Sequence, residues 1–370
     1  MASGGSLQLP DAVVRAIDAF FGPRASDVDA GRASVRDGIV ELARLGAFEA
    51  DLADAVAIVA RVARHDLASA FSAWAHRSVV EYLEAAAEGV AAGEGIAAGE
   101  AWAAADPTVV GRWLDELRTG RRLGATAMAA GTAHVLAGTP LPVSATRVDG
   151  HLELRGRVPW ASNLLPPFLV VTAVARGDGA AGAIVVALPS EVANVRVDPY
   201  PDLLALNATG SSSLRLDGVP VTEERVLAAD LGPFVGRILA PFLLVQSAFC
   251  LGLAERALEE AETALGPLGA PLRPDLDGTR RDHDELTRQL AALARRASIE
   301  STAIPRRELL EHRLEAARVA GEAVRLELAA VGGRAYVRGH PTERRLREAA
   351  FLPIQSPTEV LLRWLLSRDS

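Results

Sequence analysis

The sequence has no lysine: all 39 of its basic side chains are arginine, set against 47 Asp and Glu for a net charge of -8. A chain of that sign lacks the electrostatic footprint of a nucleic-acid binder, and no nucleic-acid partner is expected. The missing lysine also excludes a P-loop, and no G-x-S-x-G elbow is present. The one cysteine, Cys250, allows no intramolecular disulfide. Seven histidines, at 65, 76, 134, 151, 283, 312 and 340, form no H-x-x-x-H pair and have no cysteine partner, so no metal is expected. Long apolar runs are missing too. The longest, Ile238 to Ala254, is broken by Pro241, Gln246 and Ser247, which predicts a buried helix and no membrane partner. The opening MASGGSLQLPD has neither the basic start nor the apolar core of a signal peptide, so a cytoplasmic protein is expected.

What the chain does have is bulk: 370 residues, 49% hydrophobic and 23% charged, which predicts a folded multidomain protein rather than disorder. Its texture changes twice. Residues 1-118 are Ala-rich with helical spacing, as in Ala53, Val56, Ile58, Val59 and Val62. Residues 119-228 carry strand signals: a tight turn at Val148-Asp149-Gly150-His151, alternation from His151 to Val158 and from Ser211 to Leu216, and short apolar runs at Leu169 to Ala175 and Ala183 to Leu188. Six to eight strands are predicted there. Residues 229-370 return to helical spacing, with stripes Leu286-Leu290-Leu293-Ala297 and Leu310-Leu314-Ala317-Gly321-Val324-Leu328 on two helices separated at Pro305. GPLGAPLRPDLDG, from Gly266 to Gly278, reads as a connection. The predicted class is α+β multidomain: an N-terminal helical domain, a middle β-barrel or sandwich domain and a C-terminal four-helix bundle.

Gly177-x-Gly179-x-x-Gly182, with Asp202 about 20 residues on, matches the dinucleotide fingerprint, but a strand and not a helix follows it, so it reads as a hairpin loop. Arg344, Arg345 and Arg347 form a basic cluster that reads either as a solvated helix face or as part of a motif.

Four segments in order resemble the acyl-CoA dehydrogenase superfamily, whose domain order is also helical, β, helical. Leu123-Gly-Ala-Thr126-Ala-Met-Ala-Ala-Gly131-Thr132 is similar to the family strand that reaches the flavin, without its Glu-Pro. Arg157-Val-Pro-Trp160-Ala-Ser162-Asn163 resembles Lys-x-Trp-Ile-Thr-Asn. Ala208-Thr209-Gly210 through Val219-Pro220-Val221 is similar to a further family strand. Gly332-Gly333-Arg-Ala-Tyr336 and Glu343-Arg344-x-x-Arg347-Glu348 resemble the carboxyl-end elements. The resemblance implies a flavoprotein oxidoreductase holding FAD, with FMN as the alternative. It places Thr126, Trp160 and Ser162 against the ring, Gly332 and Gly333 by a neighbouring subunit's cofactor, and Thr132 near the substrate. A Trp face with hydroxyls at its edge suits a fused ring that has polar margins.

The implied base is missing. Aligned on the family's Tyr-Glu-Gly-Thr, the chain has Gln355, Ser356, Pro357 and Thr358, and a serine hydroxyl cannot abstract an α-proton. The alternative location on the first helix of the last domain falls on Phe242. Glu348 and Glu359 are the reserve candidates, although Ser356-Pro-Thr-Glu359 also reads as a capping box. Leu265 to Leu272 lacks the arginine that pairs with the pyrophosphate, and Ala329 replaces a Gln, which implies a loosely held, exchangeable flavin. Relatives that act as monooxygenases also lack the Glu and take reduced flavin from a partner reductase; their late His falls on Gln355. The expectations are therefore an oxidoreductase acting on a small acyl or related substrate, a reduced-flavin monooxygenase, or a degenerate partner subunit. The implied partners are a flavin reductase or an electron-transfer protein, and the implied assembly is a homodimer or homotetramer.

Overall fold

The computed structural model describes residues 7-91, 106-148, 151-177 and 182-368. Among them, the helices α1 (Asp11–Asp29), α2 (Val35–Arg44), α3 (Leu52–Ala63), α4 (Leu67–Ala91) and α5 (Pro107–Arg118) come first. The middle stretch holds β1 (Leu123–Ala127), α6 (Ala129–Ala137), β2 (Val143–Val148), β3 (His151–Ala161), β4 (Phe168–Arg176), β5 (Ala183–Pro189), β6 (Val195–Val197), β7 (Ser212–Val221) and β8 (Val226–Ala228). Then follow α7 (Leu231–Ala264), α8 (Arg273–Ile299), α9 (Arg306–Val331), α10 (Pro341–Ala349) and α11 (Glu359–Arg368). The chain divides into two compact units, one made of Met1–Trp74, Asp202–Ala208 and Ala240–Ser370, the other of Ala75–Pro201 and Thr209–Leu239.

In the first unit, helix starts follow from short polar caps: Ser34 accepts from the Arg36 amide and Asp51 from the Asp54 amide. The expected α3 stripe is buried at Val56, Ile58, Val59 and Val62. Helices α8 and α9 run antiparallel, with Arg296 paired to Glu308, the Leu286 carbonyl bonded to His312, and Asp282 paired to Arg318. On α8 the expected stripe Leu286, Leu290, Leu293 and Ala297 is buried. On α9 the expected stripe is buried only at Leu310 and Val324. Leu314, Ala317 and Leu328 are half-buried and Gly321 is exposed, while the interior takes Leu309, Arg313, Ala316, Ala320, Ala323 and Glu327. The reason is that two buried charges found partners. Arg313 donates to Gln246 (2.9 Å) and Gln355 (2.8 Å), and Glu327 accepts from Arg345 (2.8 Å) and Thr342 (2.5 Å), pairings that apolar periodicity does not register.

In this unit one other reading is corrected and one left open is resolved. The connection ends at Leu272, because Pro274 sits in the first turn of α8 with Asp275 beside it, where a missing N–H costs nothing. The arginine cluster on α10 is not a solvated face: Arg344 and Arg345 are buried, and Arg347 pairs with Asp29 and Glu343. Helix α7 is long and apolar enough to cross a membrane, but 89% of its most apolar window is buried inside the protein, as expected for Ile238 to Ala254.

In the second unit the described strands form one mixed sheet in the order β6-β7-β3-β2-β4-β5-β8, with β1 pairing in parallel to β4. β2 and β3 pair antiparallel with Val148 opposite His151; the predicted turn residues Asp149 and Gly150 lie outside the described residues. β4 and β5 pair with Ala175 opposite Ala183, so Gly177 and Gly182 flank a link between strands whose residues 178-181 also lie outside the described ones. Helix α6, which the strand-only reading of this stretch missed, follows β1 after Met128.

Candidate functional site

β1 uses its parallel edge for β4, and at Gly124 its other edge is satisfied by side chains. The Gly124 amide donates to Nδ1 of His76 (3.0 Å) and its carbonyl accepts from Nδ2 of Asn163 (3.0 Å). His76 in turn donates through Nε2 to the Leu117 carbonyl (3.0 Å), so the buried imidazole is satisfied at both nitrogens. Only glycine fits at this point. A Cβ on Gly124 would lie 2.8 Å from Cβ of Val79 and 2.9 Å from the His76 carbonyl, because α4 presses directly on β1.

Two residues further along, Thr126 is buried, and its Oγ1 lies 2.9 Å from the hydroxyl of Tyr82, which is wholly buried on α4. Burial pushes the Tyr82 phenol well above its ordinary range, so it stays a neutral donor and acceptor.

Trp160 and Ser162 lie at the end of β3 and just beyond it. A register shift between Val158 and Ala161 breaks the alternation there. It leaves Trp160 57% exposed, with no ring or cation partner among the described residues. An indole left bare at a strand end is not a core aromatic, and Ser162 two residues on is buried. The Ser162 hydroxyl lies 2.9 Å from that of Ser211, which lies 2.7 Å from Thr209. Asn163, adjacent in sequence, has φ +63 and is fully buried; its amide donates to the Thr209 carbonyl (2.8 Å) and its side chain to Gly124. One residue thus ties the Trp160–Ser162 segment to the Thr126 strand. Arg157, aligned with the family lysine, is held by Asp198 (3.0 Å) and Ser213 (2.8 Å). Hydrogen bonds from Ser213, Arg215 and Arg157 lower the Asp198 carboxyl to about 2.

The structure therefore brings Thr126, Trp160 and Ser162 into one unit, and Thr132 joins them there, buried in the first turn of α6. Gly332, Gly333, Glu348, Ser356 and Glu359 lie in the other. Gly332 (φ +70) and Gly333 are exposed where α9 ends. The predicted capping box is displaced: α11 begins at Glu359, and Thr358, not Ser356, accepts from the Leu361 amide (3.3 Å). The Ser356 carbonyl is taken by Nε2 of Gln246 (2.9 Å). Glu359 pairs forward with Arg363 (2.7 Å) instead of turning back to its helix start. Glu348 is fully buried and accepts from the Leu67 amide (3.1 Å), capping α4 beside Asp66, which caps the same turn through Ser69 (2.6 Å). Desolvation pushes the Glu348 carboxyl up to about 7, against the pull of Arg344 at 3.6 Å. The stretch Leu265 to Leu272 contains no charge and forms an exposed turn of 3₁₀ helix from Pro267. Sequence reasoning missed Tyr82, His76 and Ser211; a buried hydroxyl or imidazole on an Ala-rich helix gives no periodic signal.

No family model matches the chain, and no curated protein matches it. Solved structures do. A glutaryl-CoA dehydrogenase from Mycobacterium smegmatis in complex with FADH2 is 14% identical with a TM-score of 0.82, covering 98% of this chain and 95% of its own. Butyryl-CoA dehydrogenase from Megasphaera elsdenii is 18% identical with a TM-score of 0.79 over 98% of both chains. KijD3, in complex with FMN and dTDP-3-amino-2,3,6-trideoxy-4-keto-3-methyl-D-glucose, is 20% identical with a TM-score of 0.79 over 99% of this chain and 96% of its own. At these identities the likeness speaks for the fold, and it runs the full length of the described elements: the chain has the acyl-CoA dehydrogenase fold.

Proposed function

We propose that the protein is a flavin-dependent oxidoreductase whose ring wall is Trp160, Ser162 and Thr126, with Thr132 on the substrate side. What supports this reading is the bare Trp160 indole two residues from the buried Ser162 hydroxyl, on a segment that Asn163 ties to the strand carrying Thr126. An apolar face with a few fixed polar anchors suits a tricyclic ring with polar edges. The neighbours named above were solved with FADH2 and with FMN. The uncharged stretch from Leu265 to Leu272 offers nothing to a pyrophosphate, which supports a loosely held flavin, FMN as readily as FAD.

For the reaction, we favour reduced-flavin monooxygenation over desaturation. When bound, the flavin supplies the redox chemistry; the chain must supply a base only if a carbon-bound proton is to be removed. Ser356 stands where the resemblance puts the Glu. Glu359 is committed to Arg363, and Glu348 to the start of α4. A flavin reductase is then the partner that delivers reduced flavin, and the substrate is a small acyl compound or an amino-bearing one of the kind solved with KijD3. The half-buried Leu314, Ala317 and Leu328 supply a face for a homodimer or homotetramer.

The test is titration of the purified protein with FAD and FMN, oxidised and reduced. Trp160→Ala is expected to weaken flavin binding about tenfold without unfolding the chain, the scale of one lost aromatic stack. Unchanged affinity would remove Trp160 from the wall. Mixing the reduced complex with oxygen then separates the chemistries. Anaerobic bleaching of bound flavin by butyryl-CoA would refute the oxygenase reading and restore desaturation.

A further inference from the structure

We infer that the outer face of β3, β7 and β6 carries a binding site for a phosphate-bearing small molecule, formed by the row Arg157–Arg215–Arg196. The site does not require the flavin reading; strand register, charge and exposure define it.

Arg157 on β3 lies directly opposite Arg215 on β7, and Arg215 directly opposite Arg196 on β6, so the three share one face of the sheet with their Cα atoms within about 10 Å. That face is open. Leu214 and Leu216, which flank Arg215, are buried with Val158, whereas Arg157 and Arg215 are 60% and 63% exposed and Arg196 is exposed too. Like charges directly opposite one another weaken a sheet, so a row of three cations runs against stability. Asp198 relieves only part of it. Its carboxylate accepts from Nε and Nη2 of Arg157 (3.2 and 3.0 Å) and from Nε of Arg215 (2.6 Å). One acid thus orients two guanidinium groups, while Nη1 of Arg157 and both terminal nitrogens of Arg215 have no partner among the described residues. Arg196 has no hydrogen-bond or ion-pair partner among them at all. Three cations against one carboxylate leave two positive charges in excess, in a chain whose net charge is -8. The excess is one row deep, because two residues along the strands Arg155 is paired with Asp217 (2.9 Å) and Glu153 (3.2 Å). A single phosphate or a diphosphate, whose oxygens match the guanidinium fork, suits a patch of that size; the long backbone of a nucleic acid does not. In the other direction the register shift past Val158 leaves Pro159 and Trp160 exposed, about 10 Å from Arg157 along β3, so a planar group on the indole can reach the row with its phosphate.

The experiment is calorimetric titration with inorganic pyrophosphate at one fixed low ionic strength, for the wild-type chain, Arg196→Gln, Arg215→Lys and Arg155→Gln, with thermal unfolding to check the fold. Arg196→Gln removes a side chain that holds nothing else and is expected to weaken binding about tenfold, the scale of one charge-assisted contact. Arg215→Lys keeps the charge but not the fork, and a loss of about fivefold is expected. Arg155→Gln removes the same charge from the neighbouring, internally paired row and is expected to change the constant no more than about twofold. A wild-type chain that does not bind pyrophosphate at millimolar concentration, or an Arg155 variant as impaired as the Arg196 variant, would overturn the site. FMN and riboflavin, titrated into the wild type and Arg196→Gln, then name the source of the phosphate. A preference for FMN that disappears in the variant assigns the row to the flavin's own phosphate; an unchanged preference beside weakened pyrophosphate binding assigns it to another ligand. A chain that binds pyrophosphate but no flavin would keep the site and overturn the flavin reading.

Discussion

Asn163 carries the sharpest structural prediction, because its buried side chain and its backbone do separate jobs. The side chain donates to the Gly124 carbonyl, and the backbone holds φ +63, a region that L-residues other than Asn enter at a cost. Asn163→Ala loses the bond, leaving a buried carbonyl short of a partner at about 1 kcal/mol, and adds backbone strain of about 1 kcal/mol, roughly 2 kcal/mol in all. Asn163→Gly loses the same bond without that strain and should fall short of the Ala variant by about 0.5–1 kcal/mol. Asn163→Asp keeps the side-chain shape but turns a carboxylate oxygen on the Gly124 carbonyl, and it is expected to be the worst of the three at neutral pH. Denaturant unfolding with a common slope ranks them. If the Asp variant is as stable as the wild type, the bond to Gly124 is not made. If Gly and Ala are equally harmful, the backbone at this position is unstrained.

Two further changes test the first unit. Gly252→Ala would put a methyl 2.0 Å from the Ala60 carbonyl and 2.9 Å from Cβ of Ala63 at the crossing of α7 over α3, and overpacking against backbone is expected to cost about 3 kcal/mol in the same unfolding assay. A loss below about 0.5 kcal/mol would mean that the two helices separate freely. Glu348 has an ordinary value of 4.5 and is held at about 7 by burial, so the native protein binds its proton more tightly than the unfolded chain does. Its contribution to stability is complete below pH 4.5 and is lost as pH rises towards 7, a decline of about 3 kcal/mol. Glu348→Gln can still accept from the Leu67 amide and should flatten that decline; an unchanged pH profile would show that Glu348 is not the titrating group.

The parts of the fold legible in the sequence are those governed by period and punctuation. Leu286, Leu290, Leu293 and Ala297 announced the buried face of α8, and the short apolar runs Leu169 to Ala175 and Ala183 to Leu188 announced two adjacent strands. Where polar groups are buried with partners, the pattern misled. Arg313 and Glu327 share the buried face of α9 with Leu310 and Val324 of its apolar stripe, and the cluster with Arg344 and Arg345 stayed open between a solvated face and part of a motif because their partners, Glu348 and Glu327, are on the same helix face or distant in sequence. Trp160 and Ser162 of the proposed wall stand out in the sequence through their resemblance to the family segment Lys-x-Trp-Ile-Thr-Asn. The support of β1 does not: Tyr82 and His76 reach it from 44 and 48 residues upstream. Only the pairing of α4 with the strand gives them a role.

The absence of an acid at Ser356 also acquires a physical setting. Desaturation needs a carboxylate that is free to approach a substrate and ionised when it does so. The acids on α10 are spent on structure instead: Glu343 on Arg347, and Glu348 on the first turn of α4 beside Asp66. Returning a base by Ser356→Glu is therefore not a simple reversal. The Ser356 carbonyl is held by Gln246, and Gln246 and Gln355 both serve the buried cation of Arg313. A carboxylate introduced there adds an acid at a residue whose main chain already belongs to the network around a buried cation, so the change perturbs that network as well as restoring an acid.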